Sequence, residues 1–283
     1  MIMGSHAIAI MIIAIVGIAI VEFLRQWRGA FSITSLSITD EEWGGISMGD
    51  NNPKLEGSGI IDAIPQTGQC PNNCEGCFYN ADGFFRTKDI PLLPSLEEVG
   101  DKIVRINSGN DSNHLKATVL MSTEKYKKKF FNTSIPNFEF PGPVVFTCNG
   151  RHIDKAFLCV TYDIENLMMV RFRSNTWNQE LLALAVDEYC FALDIPVTIT
   201  FMRYESIDMI PRDHQKHYEL KRSIKNEYYI MKREMKEKIL AQHANIVLNT
   251  ADVKMCGTLD SSYCRDCGRC KWAFENWKIR IRR

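Results

Sequence analysis

Short β-branched and apolar runs alternate with longer charged stretches along most of this chain, the pattern of an α/β protein. Ile60-Ile61-Asp62-Ala63-Ile64 reads as a first strand. Ser95 and Glu98 in Pro94-Ser95-Leu96-Glu97-Glu98 have capping-box spacing and predict a helix running through Ile106. Lys116–Met121 and Pro143–Thr147 are short apolar runs expected as strands covered on both faces. Leu167–Arg173 as strand, a helix from Thr176 as N-cap with Gln179 three positions on to about Leu193, and Pro196–Phe201 as strand form a crossover unit, so parallel pairing is expected. A charged helix from about His217 to Gln242 then leads to a last strand, Ala244–Thr250. About six strands with helices between most of them predict an α/β fold, either a partial (β/α)6-type barrel of mainly parallel strands or an open parallel sheet. The polar, lysine-rich segment Asn107–Phe140 reads as a substrate-facing insertion or a solvated connection.

The N-terminus breaks this pattern. Ala7 to Val21 is an unbroken run of 15 apolar or small residues, followed by Glu22, Arg25 and Arg28. A bilayer crossing needs roughly 20 such residues. Three readings fit: a membrane anchor through residues 7–24, a start foreign to the native protein, and a buried helix. Positive charges after the run rather than before it would keep the following domain in the cytoplasm. The expected division is an apolar leader at 1–30, an α/β domain at 31–252 with an irregular serine- and glycine-rich lead-in, and a small cysteine-rich extension at 253–283.

With 283 residues, 45% hydrophobic and 24% charged, the chain is long enough to bury a core without disulfide staples. Lysine plus arginine equal aspartate plus glutamate at 34 each, so no overall field argues for nucleic acid or a membrane surface as partner. The tail from Lys271 to Arg283 mixes basic and aromatic residues, a composition that suits either a polyanion or a partly packed terminal segment. His214 and His217 lie in a polar, basic stretch and read as solvated histidines at a helix start.

Ten cysteines fall into three groups. Cys148, Cys159 and Cys190 sit in apolar runs, where cysteine acts as a small buried hydrophobe. Cys70, Cys74 and Cys77 form a CxxxCxxC run, one ligand short of a closed site. Structural zinc takes four protein ligands, whereas a reactive metal site keeps a position open; this trio is therefore either an open iron site or part of a zinc site completed from a distance. Cys256, Cys264, Cys267 and Cys270 supply four thiols among glycines and small polar residues, enough to close a tetrahedral shell around zinc or to hold an iron–sulfur cluster.

The run Cys70-Pro71-Asn72-Asn73-Cys74-Glu75-Gly76-Cys77-Phe78-Tyr79-Asn80 resembles the cluster-binding loop of the radical S-adenosylmethionine (radical SAM) enzymes. The resemblance implies that Cys70, Cys74 and Cys77 hold three irons of a four-iron four-sulfur (4Fe-4S) cluster and leave the fourth to S-adenosylmethionine. It implies reductive cleavage of that cofactor by an electron from a flavodoxin or ferredoxin, followed by hydrogen abstraction from a substrate the sequence does not name. It further implies a partial α/β barrel with the loop after its first strand, a cytoplasmic setting, and an auxiliary cluster as the occupant of the C-terminal cysteines, zinc being the alternative. Many members place an aromatic residue before the last cysteine, where this chain has Gly76; Phe78 and Tyr79 follow and would supply the adenine contact. Ligands of parallel sheets gather at the C-terminal strand ends, which adds Asn149, Arg173, Ser174, Asn175, Arg203, Tyr204, Asn249 and Thr250, with Arg173 best suited to hold the cofactor carboxylate bidentately. Two other classes compete with this enzyme: a non-catalytic zinc protein touching nucleic acid through its basic tail, and an electron carrier. A ferredoxin needs far fewer residues than this, and four ligands per cluster.

Overall fold

The computed structural model describes residues 52–77, 79, 88–149, 164–222, 227–243, 247–248 and 251–280. The chain divides into Met1–Ser47 and Met48–Arg283, and every described residue falls in the second unit. The apolar leader, Phe78, Cys159, Asn249 and Thr250 lie outside the described residues. Among the described residues no helix is long and apolar enough to cross a membrane.

Six apolar runs form consecutive strands, β1 (Ile60–Ala63), β2 (Ile103–Ile106), β3 (Lys129–Thr133), β4 (Val144–Cys148), β5 (Leu167–Ser174) and β6 (Val197–Phe201). Each pairs in parallel with the next. Between β6 and the end of the sheet, β7 (Arg203–Tyr204), β8 (Tyr218–Arg222) and β9 (Glu227–Met231) make a separate antiparallel sheet in the order β7-β9-β8. β10 (Val247–Leu248) and β11 (Ala251–Met255) then rejoin the main sheet, β11 parallel to β6 and β10 antiparallel on its outer edge. The main sheet therefore holds seven parallel strands in sequence order with one antiparallel strand beside the last.

That sequential order sends the covering helices to one face. α1 (Leu96–Val99), α2 (Lys116–Thr123), α3 (Gln179–Ala185) and α4 (Arg233–His243) follow in chain order. Val119, Leu182, Ala185 and Ile239 from the last three pack with Ile106, Phe146, Phe172 and Ile199 of the sheet in one buried core. Burying each large side chain of this kind contributes about 1.5–3 kcal/mol. The opposite face is divided. Towards the strand starts it is apolar, and Ile103, Phe130, Val145 and Met169 pack under Ala273 and Phe274 of the C-terminal helix. Towards the strand ends, period-2 alternation places Asp62, Arg105, Asn132, Thr147, Arg171, Arg173, Thr198 and Thr200 on the same face.

Several sequence expectations change. The capping box forms, with Ser95 Oγ accepting from the Glu98 amide at 3.2 Å and Glu98 Oε2 from the Ser95 amide at 2.7 Å. Yet the helix stops after one turn at Gly100, φ 48°, and Ile103–Ile106 is strand β2 because its β-branched side chains pair with β1. Lys116–Met121 is helical rather than extended: Val119 and Thr123, four apart, are its buried positions, a helical period hidden in a short apolar run. Asn178, not Thr176, caps α3, which continues to Ala192 in π-helical winding. The expected helix from His217 shrinks to Arg233–His243, since Tyr218–Arg222 and Glu227–Met231 pair as a hairpin. Lys129–Thr133, inside the segment read as insertion or connection, is a central strand. Of the expected last strand Ala244–Thr250, Val247–Leu248 forms β10, and a further strand, Ala251–Met255, lies beyond it. The helix of the cysteine-rich extension packs on the sheet.

Candidate functional site

The cysteine trio leaves the C-terminal end of β1, where chain turns back over the polar half of the sheet. Two reverse turns shape it, the Asn73 amide donating to Cys70 O at 3.4 Å and the Cys77 amide to Cys74 O at 3.2 Å. Asn73 (φ 43°) and Gly76 (φ 56°) adopt left-handed backbone, a conformation asparagine and glycine tolerate best. At Gly76 a Cβ would lie 3.1 Å from Arg203 O and 3.4 Å from Arg173 Nη2. A side chain at this position would therefore be strained and would crowd both groups.

Two polar clamps hold the loop. On one side Arg173 Nη1 donates to Glu75 O at 2.8 Å and to Asn149 Oδ1 at 3.1 Å, and Nη2 donates to Gly76 O at 2.7 Å. Asn149 Nδ2 in turn donates to Cys74 Sγ at 3.2 Å. On the other side Asn72 Nδ2 donates to Asp111 Oδ2 and to Ser134 Oγ, both at 2.8 Å, and its Oδ1 lies 2.6 Å from His114 Nε2. The Ser134 hydroxyl donates to the same Asp111 carboxylate at 2.9 Å. Asp111, Asn72 and Ser134 carry no motif and were missed in the sequence; their role depends on loops brought together from β1, β2 and β3.

Burial pushes the Cys70 thiol up to about 12, with Asp111, Cys74 and Cys77 adding to the rise. Burial also raises Cys74, helped by Cys77 and opposed by Ser134 and Arg173. Cys70 and Cys74 thus feel the other sulfurs of the trio, and a bound metal would have to displace their protons.

Asn149 and Arg173, picked from strand ends, do meet the loop. Ser174 does not: it is buried on the opposite face of β5, where its Oγ accepts from Gln179 Nε2 at 3.0 Å. Asn175 is buried and donates to Tyr204 Oη at 3.3 Å, within an aromatic group that also includes Trp177 and Tyr218. Tyr79 is fully buried beneath the loop and its hydroxyl donates to Gly68 O at 3.2 Å. A methyl on Gly109 would sit 2.2 Å from Tyr79 Cδ2. Gly109→Ala is therefore expected to destabilise the fold by about 1–3 kcal/mol in denaturant unfolding, and an equal cost in a Tyr79→Ala background would show that the ring is not what the glycine accommodates.

The four C-terminal cysteines gather over the same polar face. Cys256 follows β11, and its amide donates to Ile199 O at 2.7 Å. Cys264–Cys267 form the single turn α5, ended by Gly268 at φ 62°, and Cys270 opens α6 (Arg269–Arg280). The Arg269 and Gly257 amides donate to the Cys267 sulfur, which shares a proton with Cys256; that sharing lowers Cys267 to about 5 and raises Cys256. Burial raises Cys264, while Arg105 and Arg171 favour its thiolate. Arg171 Nη2 reaches Cys270 Sγ at 3.8 Å. Arg269 is paired with Asp252 and donates to Thr198 Oγ1 at 3.0 Å, which staples the segment to the sheet.

Strand β5 links the two cysteine groups. Arg171 and Arg173 are two residues apart on one face, so their Cα atoms stand about 6.6 Å apart, yet one touches the C-terminal group and the other the trio. Among the described residues no three or more histidine, cysteine, aspartate or glutamate side chains converge as ligands of a single ion. A 4Fe-4S cluster makes no such demand, since each of its cysteines binds a different iron. No protein-family model, curated protein or solved structure matches this chain.

Proposed function

We propose that this protein is a radical SAM enzyme whose sheet is the wall of a partial (β/α)6-type barrel, with a 4Fe-4S cluster held by Cys70, Cys74 and Cys77. The supporting observation is a three-thiol loop, pinned by Arg173 and Asn149, at the C-terminal end of the first strand of a sequentially ordered parallel sheet. The chemistry supplied by such a cluster is reductive cleavage of S-adenosylmethionine to methionine and a 5′-deoxyadenosyl radical, with a flavodoxin or ferredoxin as electron source.

The chain's own residues position and shield. Arg173 ties the Glu75 and Gly76 carbonyls to β5, so the loop cannot lift without breaking a half-buried guanidinium's bonds. Asn149 directs an N–H at the Cys74 sulfur, and hydrogen bonds to ligand sulfurs tune the potential of iron–sulfur centres. Cys256, Cys264, Cys267 and Cys270 hold the second centre in this reading, iron–sulfur or zinc. Arg105 and Arg171 offset its thiolate charge, and the Gly257 and Arg269 amides stabilise the Cys267 thiolate.

The test is anaerobic reconstitution with iron and sulfide, followed by reduction in the presence of S-adenosylmethionine. Broad visible absorbance, labile sulfide and release of 5′-deoxyadenosine are expected. A colourless protein that retains zinc at both cysteine groups and releases no 5′-deoxyadenosine would overturn the reading.

A further inference from the structure

Beside the cysteine groups, the β7-β9-β8 sheet turns one face to its aromatic core and the other outward. Register places Arg203, Ile230 and Glu219 in one outward row and Tyr228 and Lys221 in the next. The Arg203 guanidinium carbon lies 5.2 Å from the Tyr228 ring centroid, a cation–π contact. Lys54, from the 3₁₀ turn Pro53–Leu55, lies close enough to Arg203 and Lys221 for both to depress its pKa after burial, and Lys221 acts in the same way on Lys236 of α4. Arg203, Lys54 and Lys221 are exposed as whole residues, the Lys54 ammonium being partly desolvated, and Lys236 is half-buried. Among the described residues none of the four makes an ion pair. Glu219 is the carboxylate that faces Lys236.

The patch borders the candidate site on both sides. Arg203 O is 3.1 Å from the Cβ position of Gly76 in the trio loop, and Lys54 feels Cys256 and Cys264 of the other group. Four cations stand here against one carboxylate and the partly offsetting sulfurs of Cys256 and Cys264, in a chain whose total charge is zero, a local field that favours an outside anion. An exposed arginine over a tyrosine ring adds flat groups on which a base can lie, which a carboxylate-rich protein surface would not use.

We propose that Lys54, Arg203, Lys221 and Lys236 form a rim that binds the phosphates of a single-stranded nucleic acid, with the Arg203–Tyr228 pair receiving a base. This goes beyond the reading of the cysteines and does not depend on what they hold. The experiment is fluorescence anisotropy of the full chain with fluorescein-labelled oligothymidylate and oligouridylate across a salt series, before and after metal reconstitution. Each neutralised phosphate of a single strand contributes about 0.7 to the log–log salt slope. The variant carrying Lys54→Gln, Lys221→Gln and Lys236→Gln is expected to bind at least about tenfold more weakly at low salt, with a slope shallower by about 2. Removal of three charges elsewhere, by Lys125→Gln, Lys127→Gln and Lys128→Gln, should change affinity less than about twofold. Tyr228→Leu should weaken binding of the normal oligomer but not of an abasic one. Absence of wild-type binding, or equal losses in the two lysine variants, would overturn the proposal. So would displacement by polyglutamate as effective as by unlabelled oligomer, which would make the rim a dock for an acidic protein.

Discussion

Cys74→Ala is expected to abolish 5′-deoxyadenosine release while leaving the far-ultraviolet circular dichroism of the protein unchanged. Cys74 is the middle thiol of the trio, the one that receives the Asn149 N–H. Removing a hydrogen-bonding partner one layer out from a metal costs 10–100-fold in affinity or activity, so loss of a direct ligand should exceed about 100-fold. The fold should survive, because the loop is held by its carbonyls and by Asn72 rather than by the Cys74 side chain. Cys267→Ala is the informative contrast. It should remove metal from the C-terminal group, where the Gly257 and Arg269 amides favour the Cys267 thiolate, and spare at least part of the cofactor cleavage. Equal cleavage by wild type and Cys74→Ala would refute the assignment of the trio.

The largest stability effect is expected at the Asp62–Arg105 pair. These residues face each other across β1 and β2. Arg105 Nε donates to Asp62 Oδ1 at 2.6 Å and Nη2 to Oδ2 at 3.0 Å, and both residues are buried. Burial opposes the guanidinium charge, and the Asp62 carboxylate outweighs it and raises the Arg105 pKa. Asp62→Ala leaves the buried cation without its carboxylate, with only the weaker influence of Cys264 and Cys270 to oppose burial, and should cost about 3–5 kcal/mol. For a folded unit of this size that corresponds to a melting temperature lower by roughly 6–20 °C. The double variant Asp62→Leu/Arg105→Met removes both charges and should recover most of that loss, because replacing a buried ion pair with apolar groups is often neutral. A double variant as unstable as Asp62→Ala would show that packing, not charge, sets the cost. Arg105 also favours the Cys264 thiolate, so the double variant should take up metal at the C-terminal group less readily.

How much of this was legible beforehand differs from element to element. β1, β4, β5 and β6 were readable because each holds a short apolar run that is buried on both faces towards the strand start. Ile103–Ile106 was equally β-branched but stood behind a true capping box, and the stop at Gly100 depends on backbone geometry rather than composition. Tyr218–Met231 carries enough charge to imitate a surface helix, and only pairing across the hairpin separates the two. Within the site, Asn149 and Arg173 follow from the rule that ligands gather at strand ends. Arg171 was within reach of the same logic, since two residues back on a strand is the same face; without a partner in view it had no reason to be singled out. Asp111, Asn72 and Ser134 come from three separate loops, and nothing in their local sequence announces that they meet.

By itself the sequence determined which segments can be buried strands and which residues can bind metal, because side-chain period and thiol chemistry are local properties. Tertiary structure alone decided that two cysteine groups 179 positions apart between Cys77 and Cys256 stand over one polar face, because that depends on the order in which strands lie side by side. The same order turns adjacent inward arginines of β5 towards different groups. Pairing of distant segments is set by the shared burial of the whole sheet, a sum over contacts that no window of residues contains.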